Sequence, residues 1–289
     1  FIEWQITTLR DNDKIIQGSH PVGWCQVCQN PVSQHDTMGD VEPKINDENY
    51  LVKFRLDEYV FPITTLRPET LFGITNLWVN PNVIYKKIKV DDEKWIVSKE
   101  CVEKLEFFGK EITNEGDIKG TEIIGKTAKS PHTEQEIPIF EAGFVEPGMG
   151  TGLVMSVPAH APKDYQALMD LKSKNHELAL KIEPIPIIVT EGYGEIPAKD
   201  VCERLGVTDQ SDLKLEEATE ELYLKEFVGG KLNEKCGDFV NEKVEFGRNK
   251  VRDWLKDKNQ LESFPTLQNA PIQCRCGCEC VVKVLNNQW

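Results

Sequence analysis

The chain has no segment that reads as a leader and none that reads as a membrane span. No positively charged stretch followed by an apolar run opens it, and no apolar run is long enough to cross a bilayer. Secretion and membrane insertion are thereby set aside, and a soluble, cytosolic protein is expected. Basic residues are also in short supply: 34 Lys and Arg stand against 48 Asp and Glu, giving a net charge of −14. A protein that tracks a nucleic-acid duplex neutralises phosphates with cations, so the acidity argues against that class for the chain as a whole. Entry of a few single-stranded terminal nucleotides into a local pocket remains compatible with it. Internal repeats and low-complexity tracts are absent. The nine cysteines are odd in number and follow no secretory leader, which argues against a disulfide framework and for thiols or metal. The chain begins at Phe1 rather than a methionine, and an excised fragment is expected.

What is present is a globular composition, 39% hydrophobic and 28% charged, in 289 residues: room for one large domain and a small module. Apolar residues at 2, 6 and 9 predict an opening helix, and a short strand and turn follow over 22–28. Residues 29–48 are polar and turn-rich. Alternation at Tyr50, Val52, Phe54 and Leu56 predicts a half-buried strand, with a partner over 59–65. Pro68 stands at a plausible first helical position. Further strands are expected near 76–79, 94–98, 121–124 and 136–140. A Gly-rich loop, Gly148-Met-Gly-Thr-Gly152, leads into an apolar strand over 153–157, and a helix starts near Lys163. Helices are expected near 211–225 and 241–258, with turns at 191–194 and 227–230. A cysteine knuckle and a strand close the chain. The boundaries predict a module of 1–42 with 265–289 and a domain of 43–264.

Cysteines cluster at the two ends: Cys25 and Cys28 near one, Cys274, Cys276, Cys278 and Cys280 near the other. A Cys-x2-Cys pair sets two thiolates on one side of a turn, and tetrahedral zinc takes four N or S ligands. A structural zinc site is expected from Cys25, Cys28, Cys276 and either Cys274 or Cys280. Cys101, Cys202 and Cys236 read as core residues.

Two segments carry the chemistry: Thr64-Thr-Leu-Arg-Pro-Glu-Thr70, and Gly150-Thr-Gly-Leu-Val-Met-Ser-Val-Pro-Ala-His160 running on to Asp164. Together they resemble the editing site of leucyl-tRNA synthetases of archaeal or eukaryotic type. The resemblance covers nearly the whole chain and is weakest over 200–260. It implies an α/β (α+β) fold with a β-barrel core, surrounding helices and a zinc-ribbon module. It also implies hydrolysis of mischarged aminoacyl-tRNA(Leu), such as norvalyl, isoleucyl or methionyl esters. The synthetic-site signatures H-I-G-H and K-M-S-K-S are absent, so no leucine activation is expected. Alternatives are a valyl- or isoleucyl-type editing domain, or a non-catalytic zinc-containing RNA-binding module.

By the same resemblance, Asp164 pairs with the substrate's α-ammonium, and Thr70 fills the space that leucine's γ-branch would need. Discrimination by a second, hydrolytic sieve is known for sister synthetases, because one methylene is worth only ~1–3 kcal/mol. Thr65 and Arg67 complete the expected catalytic set. Thr64, Leu66, Glu69, Gly150, Thr151, Gly152, Met155, Val157 and His160 form the expected binding set. From the residues alone, Thr64–Thr70 also reads as a strand entering a helix cap, and Asp164 as a helix-dipole partner. His160, before a proline-bounded turn, reads more readily as structural than as a base. No Ser-His-Asp or Cys-His constellation is evident, so water is the expected nucleophile, with amides of Gly150–Gly152 offered to the oxyanion. The expected partners are the 3′ CCA end of tRNA(Leu) and the rest of the synthetase, with no membrane and a monomeric state.

Overall fold

A computed structural model describes residues 1–288. The Cα positions group into two units, one of Phe1–Asn49, Glu103–Ile112 and 264 onward, the other of Tyr50–Val102 and Thr113–Ser263. By this grouping residues 43–49, 103–112 and 264 go with the smaller unit, whereas the sequence reading put them in the larger domain.

In the smaller unit, the strand Gly18–Cys25 pairs antiparallel with Cys280–Gln288, from Gly18↔Gln288 to Cys25↔Cys280. It begins earlier than expected because this pairing carries on through Pro21. Asn30–Pro31 pairs with Trp24 and Cys25 on the other edge. Cys25, Val32, Ile272, Cys274 and Cys280 form the unit's small core. The helix Ile2–Asp11 buries none of its residues.

The larger unit is a mixed α/β structure around a ten-stranded sheet. The pairing runs Val154–Ser156, Asn76–Val79, Glu136–Glu141, Thr127–Lys129, Tyr50–Leu56, Tyr59–Thr65, Glu93–Val97, Ile84–Val90 and Ile112–Lys119, with Leu261–Ser263 also on Tyr50–Leu56. The two ends of this path are not paired with each other among the described residues, so strand pairing alone does not close the expected barrel. Two neighbouring pairs are parallel, Glu136–Glu141 with Asn76–Val79 and Tyr59–Thr65 with Glu93–Val97.

The Tyr50–Leu56 strand, expected to be half-buried, is buried at every position but Arg55. Even Lys53 is buried, because its ammonium meets Glu93 at 2.7 Å and Glu262 at 2.5 Å. A buried lysine needs such partners to remain charged. The 121–124 segment is a short helix, Gly120–Ile123, rather than a strand. The Glu122 carboxylate accepts the Lys119 N–H at its start, and a Cβ at Gly120 would stand 2.0 Å from the Asn80 carbonyl oxygen.

Two packing layers position the site. Phe54, Phe61, Ile63, Leu71 and Leu77 fill the main core, to which the helix Val244–Asp257 adds Val251 and Leu255. Trp78 and Phe140 pack with Ala167, Leu168 and Leu171, which seats the helix Pro162–Ser173 on the Asn76–Val79 strand. The helix Lys214–Gly229 runs further than expected, so Phe227–Gly229, read as a turn, is its last turn. Gly230 ends it, donating its N–H to Glu226 where a Cβ would meet that carbonyl at 2.3 Å. No helix among the described residues is long and apolar enough to cross a membrane.

Candidate active site

The Tyr59–Thr65 strand delivers Thr64 and Thr65 to one wall of a cavity of about 370 Å³. The chain turns there because the Thr65 hydroxyl accepts the Arg67 N–H at 3.0 Å. Pro68, which has no N–H to place, opens a short 3-10 helix over Pro68–Gly73. Thr70 closes its first turn, with its amide (3.0 Å) and hydroxyl (2.7 Å) both donating to the Arg67 carbonyl. Thr70 thus caps the turn and lines the cavity at once.

Asp164 enters from the first turn of Pro162–Ser173, with Pro162 at the first helical position. Its carboxylate is turned away from its own helix end. It accepts the Trp78 indole N–H at 3.0 Å and the Val157 amide at 2.9 Å. Burial pushes this acid up to about 7, against those two hydrogen bonds and the nearby Lys163 charge, which pull it down. Among the described residues it forms no ion pair, and it lines the cavity. A buried carboxylate held by neutral donors is favoured in its protonated form until a positive charge comes near it.

The expected residues that reach the cavity are Thr64, Thr65, Leu66, Arg67, Thr70, Met155, Val157 and Asp164. Glu69, Gly150, Thr151, Gly152 and His160 do not line it. Glu69 lies behind Arg67 and accepts from its Nε at 3.0 Å. Gly150, at φ +56°, backs onto Thr64, whose hydroxyl a Cβ would meet at 1.9 Å. Gly152 has already donated its amide to the Met149 carbonyl, so that N–H is not free for an oxyanion. His160 is wholly buried, and its Nε2 accepts the Ile187 and Ile188 amides at 2.8 and 3.3 Å. Nδ1 therefore carries the proton and donates it to Glu226 at 2.6 Å. A histidine held at both nitrogens is a strut.

Sequence reasoning missed Thr219, Tyr223 and Glu226, spaced four and three apart on one face of Lys214–Gly229. Thr219 and Tyr223 line the cavity, and the Arg67 guanidinium sits 4.5 Å from the centre of the Tyr223 ring. Glu226 is fully buried and takes Arg67 Nη2 at 2.8 Å with the oxygen not used by His160. Burial opposes the Arg67 charge, but Glu226 and Glu69 outweigh it and raise its pKa. The only signal in the sequence was the helical spacing, in a stretch where the known motifs give out.

Comparison with known proteins places the chain. Residues 47–185 match the family model for the leucyl-tRNA synthetase editing domain. Leucine–tRNA ligases are similar over the whole chain, that of Methanothrix thermoacetophila at 46% identity over 295 residues and that of Methanocaldococcus jannaschii at 42% over 304. Among solved structures, GlLeuRS-CP1 is 26% identical with a TM-score of 0.65, covering 74% of this chain and 97% of its own. The P. knowlesi cytosolic leucyl-tRNA synthetase editing domain shares the fold, at 18% identity and a TM-score of 0.69, over 76% and 97%. The chain belongs to the leucyl-tRNA synthetase editing-domain family. It spans about a third of the length of the curated relatives, 31% and 32% of these two ligases. The helix that supplies Thr219, Tyr223 and Glu226 lies outside the part that matches the family model.

In the smaller unit of this editing-domain relative, the thiols of Cys25, Cys28, Cys274 and Cys276 lie within 4.8 Å of one another. Cys280 is outside the group; it stands opposite Cys25 in the strand pair and is buried. Sγ of Cys25 is 3.4 Å from Cys276, and Sγ of Cys28 is 3.9 Å from Cys274. Both distances far exceed a disulfide bond, about 2.05 Å. They bracket the edge of a tetrahedron of sulfurs around zinc, about 3.8 Å for bonds near 2.3 Å. The Cys28 amide, donating to Cys25 at 3.3 Å, draws the Cys25 thiol down to about 6, toward the thiolate that binds metal. Four thiols so placed can hold a metal ion.

Proposed function

We propose that this chain hydrolyses the ester of tRNA(Leu) carrying a noncognate amino acid, with norvaline, isoleucine and methionine as candidate passengers. The observation that carries the reading is Asp164: a buried carboxylate with no ion pair among the described residues, facing a cavity walled by Thr64, Thr65 and Thr70. An α-ammonium arriving there restores the ionised acid and fixes the ester above the threonines. Thr64 and Thr65 offer hydroxyls to the terminal ribose and the ester. Thr70, anchored to the Arg67 carbonyl, presents its methyl as the wall that refuses leucine. Water is the nucleophile, and a ribose hydroxyl of the substrate assists it. Arg67, clamped between two carboxylates and a tyrosine ring, keeps its charge beside the reacting groups.

In this reading the 3′ CCA end enters the larger unit, and the rest of a monomeric cytoplasmic synthetase holds the tRNA body. Cys25, Cys28, Cys274 and Cys276 hold a structural zinc ion whose closed sulfur shell leaves no position for chemistry. Metal analysis of purified protein is expected to give one zinc per chain. Cys274→Ser is expected to lose it while Cys280→Ser keeps it, and the reverse pattern would move the fourth ligand to Cys280. The functional test is deacylation of norvalyl-, isoleucyl- and methionyl-tRNA(Leu) against Leu-, Val- and Thr-charged tRNAs. Hydrolysis confined to the valine or isoleucine systems would point to the sister-enzyme specificities. No hydrolysis by wild type would leave only RNA binding.

A further inference from the structure

Two residues that line the cavity of about 370 Å³ are fastened to the same neighbour. Thr70 donates its amide and its hydroxyl to the Arg67 carbonyl. Tyr223 lies with the centre of its ring 4.5 Å from the Arg67 guanidinium. That guanidinium is fixed in turn by Glu69 at 3.0 Å and by Glu226 at 2.8 Å. A planar guanidinium stacks on an aromatic face, so the clamp on Arg67 extends to the ring. The helix beneath Tyr223 is held as well: Ala218 and Leu222 are wholly buried with Ala198 and Val201 of the helix Pro197–Leu205. One turn before Tyr223, Thr219 spends its hydroxyl on the Leu215 carbonyl at 2.7 Å. Other apolar lining residues give way more easily. Leu66 is 50% and Met149 61% exposed, and methionine adapts its shape to what it meets. Burial pushes the Tyr223 phenol up to about 12 against the pull of the Arg67 charge, so it presents a neutral ring. The Asp164 carboxylate adds to that push, which sets the ring near the acid that would take the α-ammonium.

We propose that Tyr223 is a specificity-determining residue of this pocket: its ring limits the length of the amino-acid side chain admitted, as Thr70 limits its branching. The inference rests on the hydrolytic reading above and adds a second dimension to its sieve. Rejection by size needs a wall that does not yield, because a side chain that moves aside turns a clash into a contact. Tyr223 and Thr70 are the two lining residues tied to Arg67, one through its guanidinium and the other through its carbonyl. A single clamped arginine thus sets the gap between the two walls. The length wall stands on a helix outside the segment that matches the family model, so it is separate in sequence from the branching wall.

The experiment charges tRNA(Leu) chemically with unbranched 2-amino acids whose side chains run from three carbons, as in norvaline, to six. The readout is kcat/KM for deacylation of each ester by the full chain, taken as the ratio of the longest to the shortest. Wild type is expected to favour the shortest by at least about tenfold, the low end of what one methylene is worth in a pocket. Tyr223→Ala is expected to raise the long-to-short ratio by about tenfold or more, and Tyr223→Phe to keep the wild-type ratio, since the ring makes the wall. Leucyl-tRNA(Leu) should stay refused by Tyr223→Ala, because Thr70 still stands. Should the alanine variant fail to fold, Tyr223→Leu keeps apolar surface in place and is expected to shift the ratio in the same direction. Wild-type hydrolysis of all lengths alike, or an unchanged ratio in the folded variant, would overturn the inference and leave the hydrolytic reading intact. The inference falls equally if every length slows alike, which would put the ring against the part common to all esters. Admission of leucine together with the longer chains would mean a slackened pocket in place of a missing wall, and would overturn it too. Hydrolysis of no ester by wild type would sink inference and reading together.

Discussion

Asp164 and Glu226 are both carboxylates on helices, both at most 6% exposed, and they end in opposite electrostatic states. Glu226 meets a guanidinium on one oxygen and an imidazole N–H on the other, so its charge is matched inside the protein. Asp164 meets, among the described residues, an indole and an amide as hydrogen-bond donors, and burial pushes its pKa up to about 7. The matched acid ties together the two sequence segments that carry the resemblance, through Arg67 in one and His160 in the other. Under the proposed reading, the unmatched acid is the one that takes its charge partner from the substrate, and the complete pair serves as scaffold.

That contrast breaks first at Glu226. Removing it by Glu226→Ala leaves Arg67 buried with one carboxylate and His160 with an orphaned N–H. Deleting one partner of a buried pair costs about 3–5 kcal/mol. Denaturant unfolding is expected to show that loss, and wild-type stability in the variant would demote the network to an ornament. Asp164→Ala should strike function harder: deacylation falls by about 2–5 kcal/mol of barrier, roughly 30- to 5,000-fold, while the orphaned Trp78 and Val157 N–H groups limit the stability loss to about 1–3 kcal/mol each. Near-normal hydrolysis by that variant would remove Asp164 from the ammonium site.

A third test reads the same acid through pH. The folded-state pKa of Asp164, about 7, lies above its ordinary 3.8, so ionisation opposes folding. Its contribution to stability is present below about pH 4 and lost as pH rises through about 7. Asp164→Asn is expected to flatten that part of the stability–pH curve, and an unchanged curve would show the acid to be ionised throughout. Deacylation by wild type should rise as pH passes about 7. The smallest effect is expected at Thr70. Thr70→Ala should speed hydrolysis of Leu-tRNA(Leu) relative to noncognates by about 1–3 kcal/mol, or roughly 10- to 200-fold. A bulkier Tyr there should block every substrate. An unchanged ratio would put the wall elsewhere.

The legible half of this site was the half with unusual local chemistry. Thr-Thr-Leu-Arg-Pro-Glu-Thr favours a turn by local chemistry alone, because Pro68 lacks an N–H and the threonines bond to nearby backbone. The cysteine pairs were legible because few structures other than a metal site want four thiols together, although spacing alone left Cys274 and Cys280 open. Thr219, Tyr223 and Glu226 were illegible. Their four-and-three spacing says only helix, and what makes them matter is Arg67, 159 residues away from Glu226. The alternation over Tyr50–Leu56 misled for a related reason, since a lysine that finds two acids can be buried like a leucine. Gly120–Ile123 likewise yielded to a neighbour distant in sequence, the Asn80 carbonyl.

The ribbon formed by Gly18–Cys25 and Cys280–Gln288 has a mechanical consequence. Tension applied at Gly18 and Gln288 meets the ladder from its open end, where antiparallel hydrogen bonds yield one after another rather than all together. Such a zipper is weak until it reaches its last rung, Cys25↔Cys280, and the neighbouring cluster of four thiols. An ion bound there would work as the stop on the zipper, fixing the point beyond which a tug on the two strands no longer travels into the rest of the smaller unit.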